Sequence, residues 1–218
     1  MISYRKIEDN ERRITAGEGP PISNLIALYS TGLIAKMKNA EYALSKLIEF
    51  SVQIDSSTST SQFSASDKVH FYLDSYFAFI YSSFDVIAQI ANQKLRLNTD
   101  ENLVSFRRLK NNLNQNYRGI SIQITIEGIF NSNFFKALEK YRNCSTHRRQ
   151  ICIVSRTTTT TQTRGYSVTV PMPNVSHVLC DDPLTLNPRF IRNREMINYC
   201  SKIFNRTQKE IINILKSL

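Results

Sequence analysis

Tryptophan is absent from this chain of 218 residues, and glycine and proline number only six each. So few turn-forming residues exclude a sandwich of many short strands and favour long helices. The four cysteines, Cys144, Cys152, Cys180 and Cys200, contain no C-x-x-C pair. That spacing fits neither a zinc module nor a small disulfide scaffold, and they read as reduced thiols filling a core. No apolar run reaches the roughly 18 to 20 residues that span a bilayer. The start, MISYRKIEDNERR, lacks the apolar centre of a signal peptide. A cytoplasmic protein with no membrane partner is expected. There is no glycine-rich phosphate loop and no serine triad, so no cofactor is expected. No metal is expected either: His177 with Asp181 and Asp182 is a metal-like grouping, but Asp-Asp-Pro reads as a turn.

Acidic residues are also scarce. The net charge is +10 and the isoelectric point about 9.6. Such a balance points to a polyanion, nucleic acid first and a membrane surface second, although charge alone serves solubility equally well. The imbalance is concentrated. Between Tyr141 and Cys180 there is no Asp or Glu, while Arg142, Arg148, Arg149, Arg156, Arg164, His147 and His177 all fall there.

Residues 1–21 are polar and end in Gly-Pro-Pro, which reads as an arm that packs on a neighbour or frays. Residues 22–218 read as one domain. Apolar residues recur at helical spacing over 22–53, with Gly32 as a possible bend. A small-polar stretch, 56–66, reads as a connector, and Ser64 with Asp67 as the capping box of a central helix that ends near Leu97. On that helix Asp74, Tyr81, Asp85 and Asn92 follow steps of seven, four and seven. They form one polar stripe, facing either solvent or a buried cation that Asp85 would require. His70, near the helix start, reads as a surface or cap residue.

A helix is expected over 101–117. Residues 119–130 alternate like a strand but stand between helices, and both readings stay open. Phe134, Phe135, Leu138 and Tyr141 form the packing face of a helix that ends in YRNCSTHRR. A two-stranded ribbon (151–155 with 166–172) joined by a threonine-rich tip precedes a final helix, 188–217. The expected fold is mainly α: an antiparallel helical bundle with a small β-ribbon, about 150–172, inserted before the last helix.

YRNCSTHRRQ, 141–150, is where chemistry is most plausible from the residues. Asn143 and His147 are four apart, so on a helix the amide can orient the imidazole. Arg142 and His147 are separated by about 140° and about 7.5 Å, flanking a site, and the weak helix formers between them would let the end unwind. RNA cleavage without a metal needs proton transfer and a match for phosphorane charge. Histidine serves the first near neutral pH and arginine's planar fork serves the second. One histidine does not easily perform both proton steps, and a two-fold dimer would bring a second copy.

Arg-Asn-x-x-x-His at a bundle helix end resembles the R-x4–6-H signature of the HEPN superfamily of ribonucleases. The likeness covers residues 66–149 best, and the β-ribbon departs from it. It implies an all-helical, usually dimeric, metal-independent endoribonuclease acting as a toxin or antiviral-defence effector, restrained by an antitoxin or inhibitor. Arg142, Asn143 and His147 carry the implied catalytic roles, and Asp85 is the implied partner of Arg142. Arg148, Arg149, Arg156 and Arg164 would bind RNA. Some relatives carry a tyrosine two positions after the histidine, where this chain has Arg149. A non-catalytic RNA- or nucleotide-binding subunit is the second reading, and a basic membrane-surface protein the third.

Overall fold

Aromatic and branched residues at helical spacing commit most of this chain to helices that bury one face each. The computed structural model describes residues 4–56, 59–147, 150–158, 174–185 and 187–218. The elements are α1 (Arg5–Thr15), α2 (Pro20–Ser56), α3 (Ser59–Lys94), α4 (Phe106–Asn116), α5 (Ser121–Asn131), α6 (Asn133–His147), β1 (Ile153–Thr158), β2 (Asn174–Cys180), β3 (Phe190–Glu195) and α7 (Met196–Ser217). A helical bundle with a small antiparallel sheet before the last helix is the architecture. Among the described residues the sheet has three strands in the order β1-β2-β3. Among the described residues, no helix is long and apolar enough to cross a membrane.

The long pair α2 and α3 runs antiparallel: Gly32 lies against Val86, and Tyr42 and Phe50 meet Tyr72. α2 continues uninterrupted through Gly32, where the expected bend does not occur. α3 is central, with Tyr76, Phe77, Ile80, Phe84 and Ile87 fully buried. Phe77 stacks on Tyr141 of α6 with centroids 4.6 Å apart, and Phe84 joins Phe106, Phe134 and Phe135. Each such ring contributes about 1.5–3 kcal/mol by leaving water. α7 closes the core, and the Tyr76 hydroxyl donates to the Cys200 carbonyl at 2.6 Å.

Several boundaries differ from the sequence reading. Most of the expected polar arm is helix α1, whose Ile7 and Ile14, two turns apart, are buried in the common core. The expected connector 56–66 is mostly helical, with only residues 57–58 between α2 and α3. Ser64 is therefore inside α3 rather than at its start. Small polar residues there are weak breakers, and packing overrides them. Residues 121–131 are helix: Ile122, Ile126 and Ile129 reach the core at steps of four and three, a spacing that the local alternation concealed. A positive φ of 84° at Gly119 makes the turn before it.

β1 pairs antiparallel with β2, Val154 opposite Val178. The stretch 166–172 and the threonine-rich tip lie outside the described residues. β3 occupies what reads as the start of the final helix. Phe190 pairs with Cys180, and α7 begins only after Glu195, whose carboxylate accepts the amides of Ile197 and Asn198.

Candidate active site

α6 carries the motif, and its position is set one residue earlier. The Tyr141 hydroxyl donates to the Cys180 carbonyl at the end of β2. Arg194 of β3 donates to that phenol oxygen at 2.9 Å and to the Asp181 carbonyl at 2.6 Å. Burial pushes the Tyr141 phenol far above its usual range, so it stays a neutral donor. α6 is thus pinned to the sheet immediately before Arg142.

Arg142 is half-buried. Its guanidinium lies over the Tyr81 ring, 5.1 Å from the centroid, and its Nη1 donates to Asn143 Oδ1 at 3.1 Å. The helix does not unwind after Arg142. Ser145 and Thr146 turn their hydroxyls back to the Arg142 carbonyl at 3.0 and 2.8 Å, local side-chain to backbone bonds within the helix. Helix α6 continues to His147. The Asn143 oxygen therefore serves the arginine, and the imidazole contact that its spacing suggested falls on the His147 side chain, which lies outside the described residues.

Asp85 lies four residues after Tyr81 on α3. Its Oδ1 accepts the Phe106 amide at 2.9 Å, capping the start of α4 beside Ser105. Burial raises the carboxyl above its ordinary range, opposed by that hydrogen bond and by the charge of Arg142. The charge of Arg142 thus reaches Asp85 on the same stretch of α3 as Tyr81. Arg107 and Glu139, an ion pair at 2.6 Å, border the same tyrosine.

The polar stripe divides by role. Asn92 is buried and brackets Thr99, donating to its carbonyl at 2.9 Å and accepting its amide at 3.2 Å, so it fastens a loop. Tyr81 lies against α6, and Asp74 is half-buried two turns earlier on α3. His70 is well inside α3 and half-buried, neither a cap nor an exposed residue. His177 is buried on β2, facing Ser155. Asp182 pairs with Lys140 and accepts the Leu184 amide, while Asp181 accepts the Arg189 amide, as an ordinary turn does. Arg148, Arg149 and Arg164 lie outside the described residues. Arg156 is on β1 opposite Ser176.

Sequence reasoning missed Arg194 and Tyr141 as the anchor of the motif. Tyr81 was noticed as a stripe member, but its place beneath Arg142 depends on how α3 and α6 cross. A guanidinium so held has a fixed plane, and it stays charged at any physiological pH. Such a group can bind one face of a phosphodiester.

Comparison with curated proteins and with solved structures returned no match. The family model of the Cthe2314-like HEPN domain matches residues 29–180. That span holds α3, α6 and the motif, and it also takes in β1 and β2, while β3 lies beyond it. With well over half of its residues matched, the chain belongs to the HEPN family.

Proposed function

We propose that this protein is an endoribonuclease that cleaves RNA without a metal, by attack of the 2′-hydroxyl on the adjacent phosphorus. The observation that carries this reading is the fixed guanidinium of Arg142, held by Tyr81 and Asn143 at the end of α6 in a HEPN domain. In this reading Arg142 neutralises the charge that grows on the phosphorane, and His147 transfers a proton. Asn143 holds the arginine, Asp85 supplies the balancing negative charge, and Arg148 and Arg149 grip the backbone with Arg156 and Arg164 farther along. Donors aimed at developing charge are typically worth about 10²–10³ in rate.

The net charge of +10 favours the polyanion. Exposed Tyr42 and Phe71, with Lys46 and Lys68 beside Phe50, offer unpaired bases a place to stack. Two copies meeting about a two-fold axis at the α6 ends would form a shared cleft, and such a nuclease requires an inhibitor in its host, consistent with a toxin or defence role. Incubation with RNA in EDTA tests the proposal. Cleavage that survives chelation and disappears in both His147→Ala and Arg142→Ala is the expected result. Salt-sensitive binding without cleavage would instead identify a non-catalytic RNA-binding subunit.

A further inference from the structure

His70 and Asp74 stand one turn apart on α3, and each holds a sealed polar atom without a partner: Nδ1 of the imidazole and Oδ1 of the carboxyl. Buried polar atoms are nearly always hydrogen-bonded, because an unmade bond costs free energy. Two on one helical flank need an explanation, and their position supplies one. Asp74 precedes Tyr81 by seven residues, which places it about 20° around the helix and about 10.5 Å along it. Tyr81 is the residue beneath Arg142. α3 and α6 run antiparallel, since Phe84 meets Phe134 and Phe135 while Phe77 meets Tyr141. Going from Tyr81 to Asp74 therefore follows the direction from Arg142 to His147, a step of about 7.5 Å. Asp74 lies level with the end of α6, on the flank that carries the arginine.

We propose that Asp74 is the general base of the ribonuclease site, with His70 one turn before it on the same flank of α3. This rests on the functional reading above, and it places the second proton-transfer group in the same protomer. The carboxylate takes the 2′-hydroxyl proton as the O2′–P bond forms. A protonated imidazole, assigned to His147, gives a proton to O5′ as the P–O5′ bond breaks. The products are a 2′,3′-cyclic phosphate and a 5′-hydroxyl, and no co-reactant is consumed. Burial raises the Asp74 carboxyl to about 6, close to neutrality where a base works best, and pushes the His70 imidazole down against the pull of Asp67. Arg142 and Glu139 on α6 act on Tyr81, two turns farther along α3, and burial alone accounts for the shift at Asp74. α7 meets this part of α3 through Tyr76 and Cys200, and the α2 lysines lie over Phe79 and Tyr42 on the opposite flank.

The test uses the full chain as Asp74→Asn, Asp74→Glu and His70→Asn, with cleavage of a fluorescent oligoribonucleotide in EDTA from about pH 5 to 8.5. Binding of the same sequence lacking the 2′-hydroxyls is measured alongside. For Asp74→Asn the expected results are a kcat loss of about 10²-fold or more, disappearance of the rate rise through about pH 6, and unchanged affinity for the uncleavable strand. Asp74→Glu restores part of the rate and of the pH limb. An Asp74→Asn enzyme with the wild-type rate and pH profile, or a loss confined to affinity, overturns the assignment. If the wild type cleaves no RNA, the functional reading has failed, and binding alone then decides where Asp74 sits. Affinity that weakens above about pH 6 in the wild type but not in Asp74→Asn places the carboxyl in the RNA site, and identical pH dependence removes it.

Discussion

Tyr141 donates its phenolic hydrogen to the carbonyl of Cys180, joining the last turns of α6 to the end of β2. Because Arg194 donates to the same phenol oxygen, three elements meet at the residue before Arg142. Tyr141→Phe keeps the ring stack with Phe77 but strips both hydrogen bonds. A stability loss of about 1–3 kcal/mol in urea unfolding is expected, because buried partners are left unmet. Unfolding unchanged from wild type would show that the sheet does not anchor α6 through this phenol.

Arg142→Lys keeps the charge and loses the planar fork that stacks on Tyr81 and reaches Asn143. RNA cleavage should fall by about 10²-fold or more, with stability changed by less than about 1 kcal/mol. Tyr81→Phe retains the ring face and should leave activity near wild type. Tyr81→Leu removes the cation–ring attraction, about 0.5–2 kcal/mol, and should lower activity. Equal rates for the leucine and phenylalanine variants would mean the ring does not hold the guanidinium.

Asp85 has two tasks that two substitutions separate. Asp85→Ala leaves the Phe106 amide without its acceptor and should cost about 1–2 kcal/mol, measured by thermal or chemical unfolding. Asp85→Asn keeps an oxygen for that amide and removes only the charge facing Arg142. It should unfold near the wild-type midpoint while cleavage declines. If both variants are equally unstable, the carboxylate charge rather than the cap supports α4.

Asp74 should burden stability in the pH range where it serves the site. Its folded carboxyl is raised from 3.8 to about 6, so the folded chain holds the proton more tightly than the unfolded one. Stability from this group is full below about pH 4, declines as pH rises toward 6, and is absent above that. Asp74→Asn should therefore match the wild type near pH 4 and exceed it at pH 8. The gain should be about 1 kcal/mol, reduced by solvent because the group is only half-buried. Unfolding midpoints at the two pH values decide it, and equal differences at both would refute the buried carboxyl.

Periodicity carried the reading of α3, α4, α6 and most of α2 and α7, because their apolar residues recur at helical steps over many turns. It failed where neighbours decided. Ile122, Ile126 and Ile129 alternate with polar residues closely enough to mimic a strand, and only the core they meet makes them helical. Ser64 resembles a helix start because side-chain hydroxyls cap helices locally, but the packing of α3 against α2 extends the helix past it. β3 was hidden because Phe190 and Ile191 fit a helix face as well as a strand, and its pairing partner Cys180 is distant in sequence. At the site, the Arg142–His147 spacing was legible. The ring under Arg142 and the phenol before it were not.

By itself the sequence determined a helix-rich, cation-rich chain with an arginine, an amide and a histidine at one helix end, since composition and local spacing suffice for those. Tertiary structure alone decided which partners those groups meet. The crossing of α3 with α6 puts Tyr81 beneath Arg142 and draws Asp74 level with the helix end. The return of β2 and β3 to Tyr141 holds that end in place. Contacts between residues tens of positions apart depend on how helices pack, and no local pattern records that.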